Sequence, residues 1–546
     1  MNRNLILFLT GWVVLALVQA TFTDLANDEA YYWVYSLKPE WGYFDHPPVV
    51  ALFIKAGYIL FQNELGVRLV TILSQVLALY LTFTFLIPFG NQNLKKYIWL
   101  VILIPLIHVY SFIAVPDPPL FLGTVIFLVL YKKFLEDSTW TIVPVLAVTM
   151  AFMMYSKYHA ALVILLVMAS RPKLFLDVRF LTACISGAVL FLPHLWWQYV
   201  HEFPSFKYHL VDRNTEFDIR DVGMYLINQL INFNPVLFPL VLFRAIKSKP
   251  SEDSLERAMR FLLFGFLLFF LLMTWRGHIE PQWTYIVSIP VLYFGVRLIS
   301  DYDFRWIKRS AILILPLLIA GRFFLIFDIL PIATEFHGYP ELIEKIKSEA
   351  SGLPVVILNS YQLTSKYHFY GEEKPYAMIT DGRRNQYSLS PDEEEILGSK
   401  VLLVSRREAE GFSKTFSSGL YKVWTKPVDN FSYFKSAVIS SLEIINVSKA
   451  ETRFSISLKN PYRKEIILDS SRELVLIILD KKGKAGTMIP LKSELKTIHP
   501  ESEVSSEVSC NLSDVSSPTQ AIIGIRSNNQ FFSFNSKPIL IQKINE

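Results

Sequence analysis

Apolar residues run in long blocks from residue 5 to about residue 330, and the pattern then changes to short alternations. Eleven blocks stand out, near 5–22, 66–88, 97–114, 118–131, 140–155, 158–170, 180–199, 222–243, 260–275, 283–297 and 310–330. Each predicts a helix, and a straight bilayer crossing takes about 20 residues, so several are short for a span. The 140–170 stretch breaks at Ser156, Lys157, Tyr158 and His159. A polar break at membrane depth is tolerated only where protein or a water-filled cavity receives it. A soluble core cannot hide so many long apolar helices, whereas a bilayer can. The expectation is a polytopic α-helical membrane protein of about 11 spans.

The first twenty residues share the outline of a signal peptide, with Arg3 ahead of an apolar stretch. No small-x-small cleavage site follows, so an uncleaved first span is expected. Beyond residue 332 helical and strand patterns alternate, with a helix at Glu341–Ala350 and strands at Val355–Leu358, Val401–Val404 and Tyr421–Trp424. That predicts a small α/β unit over 333–430. From 431 to 546 short β runs such as Arg453–Leu458, Leu474–Leu479 and Ala521–Ile525 predict a β-sandwich. Lys481-Lys482-Gly483-Lys484 reads as a turn and Ser502–Ser517 as a serine-rich loop. The transmembrane domain is expected over 1–332.

Charge fixes an expected orientation. Lys95, Lys96, Lys132, Lys133, Arg171, Arg244, Lys247, Arg257, Arg297 and Arg305 fall in one set of loops, and the opposite loops hold fewer cations. The rich set is expected in the cytoplasm. The loops at 23–65, 200–221 and 276–282, the turn at Asp117 and the whole tail then lie outside. The formal charge of +5 therefore reflects membrane orientation and not a nucleic-acid partner. The two cysteines, Cys184 in an apolar run and Cys510 in a polar tail, do not suggest a pair.

Three outer segments carry candidate chemistry. The first reads Asn27-Asp28-Glu29-Ala30-Tyr31-Tyr32-Trp33 and continues to Gly42-Tyr43-Phe44-Asp45-His46-Pro47-Pro48. Carboxylates can take a proton from a sugar hydroxyl, and faces such as those of Tyr31 and Tyr43 suit sugar rings and lipid tails. An aromatic belt with solvated charges is the plainer alternative. The second segment, Val115-Pro116-Asp117-Pro118-Pro119-Leu120, is a lone carboxylate in a tight turn, which a helix cap explains equally well. The third, Arg276-Gly277-His278-Ile279-Glu280-Pro281-Gln282-Trp283, offers an arginine and a histidine to a phosphate. Snorkelling by Arg276 and anchoring by Trp283 explain it as well. Lys157, at membrane depth, needs an anionic partner. What favours function is that all three segments fall on one face once charge sets the topology.

Together these motifs resemble the membrane glycosyltransferases of the C-type (GT-C) fold, which include aminoarabinose transferases acting on lipid A and protein O-mannosyltransferases. The likeness rests on Asp28-Glu29-Ala30-Tyr31-Tyr32-Trp33 with Tyr43-Phe44-Asp45-His46-Pro47-Pro48, on Asp117-Pro118-Pro119-Leu120, and on Glu280-Pro281-Gln282-Trp283. It covers roughly residues 1–330 and extends weakly to Tyr361-Gln362-Leu363 and Arg384-Asn385-Gln386-Tyr387. It implies Asp28 as the general base, with Glu29 beside it and Asp117 as a second acidic residue of the site. It places His46 where the aminoarabinose branch carries a lysine. A neutral histidine is a weaker phosphate partner, so Arg276, His278 and Lys157 are the candidates to supply charge.

The function expected is inverting transfer of a sugar from a polyprenyl-phosphate donor to a hydroxyl or phosphate of lipid A, another glycan, a lipid or a protein. The place expected is the outer face of a bacterial cytoplasmic membrane. The scheme requires no cofactor and leaves metal use by the carboxylates open. If His46 holds the phosphate, donor binding should weaken as pH rises through the neutral range. A flippase for a lipid-linked sugar would explain the spans, but not acidic motifs gathered on one face. A non-catalytic envelope assembly protein would explain the tail.

Overall fold

A computed structural model describes every residue except 1, 89, 138, 215, 250–251, 381–383, 409–410, 448–450, 481–484, 513–518, 528–530 and 542–546. The chain forms two compact units, Met1–His337 and Gly338–Glu546.

The helices of the first unit are α1 (Arg3–Phe22), α2 (Asn27–Leu37), α3 (Val49–Tyr58), α4 (Glu64–Leu81), α5 (Asn91–Leu103), α6 (Pro105–Val109), α7 (Asp117–Glu136) and α8 (Ile142–Ser156). After these come α9 (Ala160–Ser170), α10 (Val178–Val200), α11 (Pro204–Lys207), α12 (Ile219–Phe233), α13 (Leu237–Lys247), α14 (Ser254–Met273), α15 (Ser288–Leu298) and α16 (Asp301–Ile326). Every apolar block of the sequence is helical over most of its length. Six helices, however, are long and apolar enough to cross a bilayer, or seven if the bent pair α12–α13 is one span. The six are α1, α4 with its π-helical extension to Leu86, α7, α10, α14 with its extension to Arg276, and α16. Helix length therefore does not establish eleven straight crossings; α3, α8 and α9 are apolar but short.

Backbone breaks shorten several of the blocks, and two show how. Pro235 disfavours helical backbone at Asn234, whose φ is +76°. The Asn234 side chain accepts from the N–H groups of Val236 and Leu237 at 2.9 and 3.2 Å, so α13 starts afresh, bent 98° from α12. The second break is Lys157, extended between α8 and α9. Between α3 and α4 the backbone closes so tightly that a Cβ on Gly57 or Gly66 would overlap a carbonyl oxygen. Along α16, Ile312 is 80% exposed and Leu313, Leu317 and Ile319 are exposed too. Such a face has a low-energy partner only in lipid, and the chain is an integral membrane protein.

In the second unit, α17 (Tyr339–Ala350) and α18 (Tyr361–Gly371) accompany β1 (Val355–Leu358), β2 (Tyr376–Met378), β3 (Val401–Ser405), β4 (Lys414–Ser418) and β5 (Tyr421–Val428). They form a mixed sheet in the order β2-β1-β3-β5-β4, parallel across β2-β1-β3 and antiparallel beyond. Two antiparallel sheets follow. One has Thr452–Lys459 between Val438–Val447 and Glu503–Cys510; the other has Arg472–Leu479 beside Thr519–Ser527. Phe454, Ile456 and Leu458 of the first share one core with Leu474, Leu476, Ile523 and Ile525 of the second, which makes a sandwich. The expected serine-rich loop is in part a strand. Val504, Val508 and Cys510 alternate along it, and that period of two outweighs serine composition. The turn at 481–484 lies outside the described residues.

Candidate active site

Glu29 is the third residue of α2 and is fully buried. Its carboxylate accepts from Arg68 Nε at 2.8 Å and from an Arg68 terminal nitrogen at 2.6 Å. It also accepts from the backbone N–H groups of Ala26 at 2.9 Å and Ala114 at 2.8 Å. Arg68, on α4 and equally buried, spends its remaining donors on the carbonyls of Ala20, Thr23 and Asp24. One ion pair thus ties the start of α2, the end of α1, α4 and the segment leading to Asp117. Every oxygen of Glu29 is occupied and none meets solvent, which argues for holding over reacting. Asp28, one residue earlier and so about 100° around the helix, is only half-buried.

Asp117 opens α7 between Pro116 and Pro118, where a carboxylate favours the positive helix end. The anionic partner that Lys157 requires is Asp117: its ammonium donates to both carboxylate oxygens at 2.8 Å, and both residues are nearly fully buried. The break between α8 and α9 is therefore paired directly with the second acidic motif.

The late loop divides. Glu280 accepts from Arg213 at 2.7 Å, and the Arg213 guanidinium lies 4.5 Å from the Trp283 ring centre. Arg276 is exposed and donates to the Leu210 carbonyl at 2.9 Å. His278, also exposed, faces Asp221 at 3.5 Å. The loop thus puts Glu280 forward with Arg213 and turns Arg276 and His278 to other partners. The Ala114 N–H ties the segment before Asp117 to Glu29, and Gln75 donates to the Pro118 carbonyl at 3.0 Å and accepts from the Tyr285 hydroxyl, two residues beyond Trp283. The three motifs converge.

A second group surrounds His46. Its ring meets Tyr32 edge-on at 5.4 Å and lies 6.0 Å from His209, whose Nε2 is 2.9 Å from the Asp45 carbonyl oxygen. His209 also lies 6.0 Å from the Tyr158 ring, and His159 meets Trp283, the ring under Arg213, edge-on at 5.4 Å. Burial, followed by His209, Lys157 and Arg213, holds the His46 imidazole well below its ordinary pKa. Burial likewise pushes His209 down to about 4. The neutral imidazole is therefore the favoured form of His46 in the unliganded protein. The Nδ1 atom of His46 is buried without a hydrogen-bond partner among the described residues.

Tyr31 and Tyr43 are both about 1% exposed. Tyr43 stacks on Tyr35 at 4.3 Å, accepts from the Glu40 N–H and donates to the Tyr35 carbonyl, so it shapes the loop from within. Tyr31 packs edge-on against Tyr35 at 4.8 Å. The sequence reading missed Arg213, His209 and His159 as site residues. Arg213 had one faint signal, as one of few cations in an outer loop; His209 had none. Among the described residues no three His, Cys, Asp or Glu side chains are grouped to hold a metal ion.

A family model for dolichyl-phosphate-mannose-protein mannosyltransferase matches residues 45–197. ArnT from Cupriavidus metallidurans in the apo state is similar at TM-score 0.58 and 14% identity, over 77% of this chain and 97% of that one. This chain has the GT-C fold. The same ArnT bound to undecaprenyl phosphate gives TM-score 0.58 and 13% identity over the same shares. No curated protein sequence matches the chain. At such identity the likeness is one of GT-C fold. The matched stretch contains His46, Asp117 and Lys157, starts after Asp28 and ends before Arg213 and Glu280.

Proposed function

We propose that the chain is a GT-C membrane glycosyltransferase, inverting in type. It would move a sugar from polyprenyl phosphate to an acceptor hydroxyl at the outer face of a bacterial cytoplasmic membrane, with the second unit on that same side. The observation that carries this is the convergence of three acidic motifs beside Lys157, Arg213 and the His46 group. Asp28 removes the acceptor proton, and the freed oxygen attacks the anomeric carbon from the side opposite the phosphate. The bond from that carbon to the phosphate oxygen breaks, and polyprenyl phosphate leaves with the added negative charge. Lys157 and Arg213 meet that charge, with His46 as a hydrogen-bonding partner. Asp117 keeps Lys157 aimed, and Glu29 keeps Asp28 in place. Tyr31 and Tyr43 shape the loop, and Arg276 and His278 support the rim. The bound lipid of the ArnT structure supports a polyprenyl-phosphate donor.

The test is transfer in liposomes by purified protein given a polyprenyl-phosphate sugar. Asp28→Asn keeps the size of the side chain and removes the base, so turnover should fall by a factor on the order of 100 or more. Full turnover by folded Asp28→Asn protein would overturn the assignment. Export of the lipid-linked sugar without transfer would favour a flippase.

A further inference from the structure

At the other end of α7, about 30 Å from Asp117 by the helical rise, lies a cavity of about 630 Å³ that the transfer reaction does not use. Its wall is built by the π-helical end of α4 (Thr84–Leu86), Lys132 and Glu136 of α7, Arg171 after α9, the start of α14 and Arg297 of α15. Three cations, Lys132, Arg171 and Arg297, line it against two carboxylates, Glu136 and Asp253. Arg171 and Arg257 both donate to the Ser254 hydroxyl at 2.9 Å, so two guanidinium groups converge on one neutral oxygen. Among the described residues neither has a carboxylate within ion-pair distance, and the Nε of Arg257 is buried without a partner. Lys132 donates only to the Phe85 carbonyl, at 3.1 Å. Arg297 is shared with Glu256 at 3.3 Å. Like charges crowded this way call for an anion between them.

We infer that this cavity binds the headgroup of a bilayer phospholipid, with its phosphate on Arg171 and Lys132, backed by Arg257 through the shared Ser254, and its amine on Glu136. The wall carries both signs of charge, since Glu136 and Asp253 line it with the cations. A simple anion leaves the Glu136 carboxylate unanswered, whereas a phosphate joined to a primary amine meets the cations and Glu136 together. A volume of this size holds a small polar headgroup. Phe85, 45% exposed on the cavity wall, offers an apolar surface to the acyl chains. A π-helical turn is a common companion of functional sites, and basic pockets between spans are a known way to hold lipid headgroups.

The full chain, purified in detergent, is offered phosphatidylethanolamine, phosphatidylglycerol, phosphatidylcholine or inorganic phosphate, and retained lipid is read by native mass spectrometry. The expected order puts phosphatidylethanolamine first. Arg171→Gln with Arg257→Gln should lower its retention about tenfold, the worth of one charge-assisted hydrogen bond. Glu136→Gln, an exposed change that leaves folding alone, should bring phosphatidylethanolamine and phosphatidylglycerol to parity. Equal retention of all three lipids by the wild type overturns the inference. So does thermal stabilisation by inorganic phosphate that matches the lipid, or wild-type retention by a monodisperse Arg171→Gln, Arg257→Gln protein. The readout is independent of sugar transfer and is the same in Asp28→Asn protein, so this inference and the proposed reaction fail separately.

Discussion

Glu29→Gln separates holding from chemistry in the acidic pair. The change keeps the shape and leaves one oxygen to accept from a backbone N–H. It removes the charge that faces Arg68, and both side chains are fully buried. Breaking a buried pair by removing one partner costs about 3–5 kcal/mol, because the other charge is left uncompensated. Arg68→Met should cost at least as much. It strands Glu29 and also withdraws the donors that serve the carbonyls of Ala20, Thr23 and Asp24. The two changes share one interaction, so the double variant should be less destabilised than the sum of the singles. Because the pair fixes α2, Glu29→Gln should also slow transfer, and a stabilising second-site change should recover part of that loss. Asp28→Asn should behave oppositely, with near-normal stability and no recovery. The assays are thermal unfolding in detergent and turnover in proteoliposomes. Glu29→Gln protein with wild-type stability and wild-type turnover would refute the reasoning. Wild-type stability with turnover as low as that of Asp28→Asn would return Glu29 to the chemistry.

Arg213→Gln should weaken donor binding about tenfold or more, while Arg276→Gln changes it little, and isothermal binding of polyprenyl phosphate distinguishes them. His46 and His209 are held below the ordinary histidine pKa in the folded protein, so the unfolded chain takes up protons first as pH falls. Their contribution to stability is unchanged above about pH 6.5 and is lost progressively below it, for His209 down to about 4. His209→Asn should flatten the acid limb of a melting-temperature profile. Donor affinity should be nearly level across the neutral range and should strengthen only toward acid, with His46→Gln removing that rise. A reporter fused after the last residue should lie outside and one in the Lys247–Arg257 loop inside; both on one side would dissolve the single-face argument.

The apolar blocks made the helical unit legible, and strand period made the tail legible down to bounds such as Val355–Leu358. The polar break at Ser156–His159 was legible as well, whereas the break at Asn234 was not. Asn234 and Lys157 end helices through local backbone and capping, so an apolar block need not be a straight span. At the site, residue type exposed the three acidic motifs, but not which carboxylate of Asp28-Glu29 is locked in a buried ion pair. That depended on Arg68, thirty-nine residues away and inside an apolar helix where it read as part of a span. Arg276 and Arg213 are both arginines of outer loops, and only the fold decides which one faces Glu280.

The same physics links these cases. A charge at membrane depth survives only with a partner, so each buried charge is a statement about what it must meet. Arg68 meets Glu29 with every donor spent, leaving nothing for a substrate; such a pair is scaffold. Lys157 meets Asp117 through a single ammonium that donates two hydrogen bonds. An ammonium can make three, so one donor remains for a ligand. Asp117→Asn keeps an acceptor but removes the compensating charge. If Asp117 serves to aim Lys157 at the donor phosphate, this change should weaken donor binding about tenfold, the worth of one charge-assisted hydrogen bond. Lys157→Met should weaken binding at least as much, and Asp117→Asn added to Lys157→Met should cost little further. An Asp117→Asn protein whose donor affinity matches the wild type would show that the pair is scaffold like Glu29 and Arg68, and would leave Arg213 to hold the phosphate.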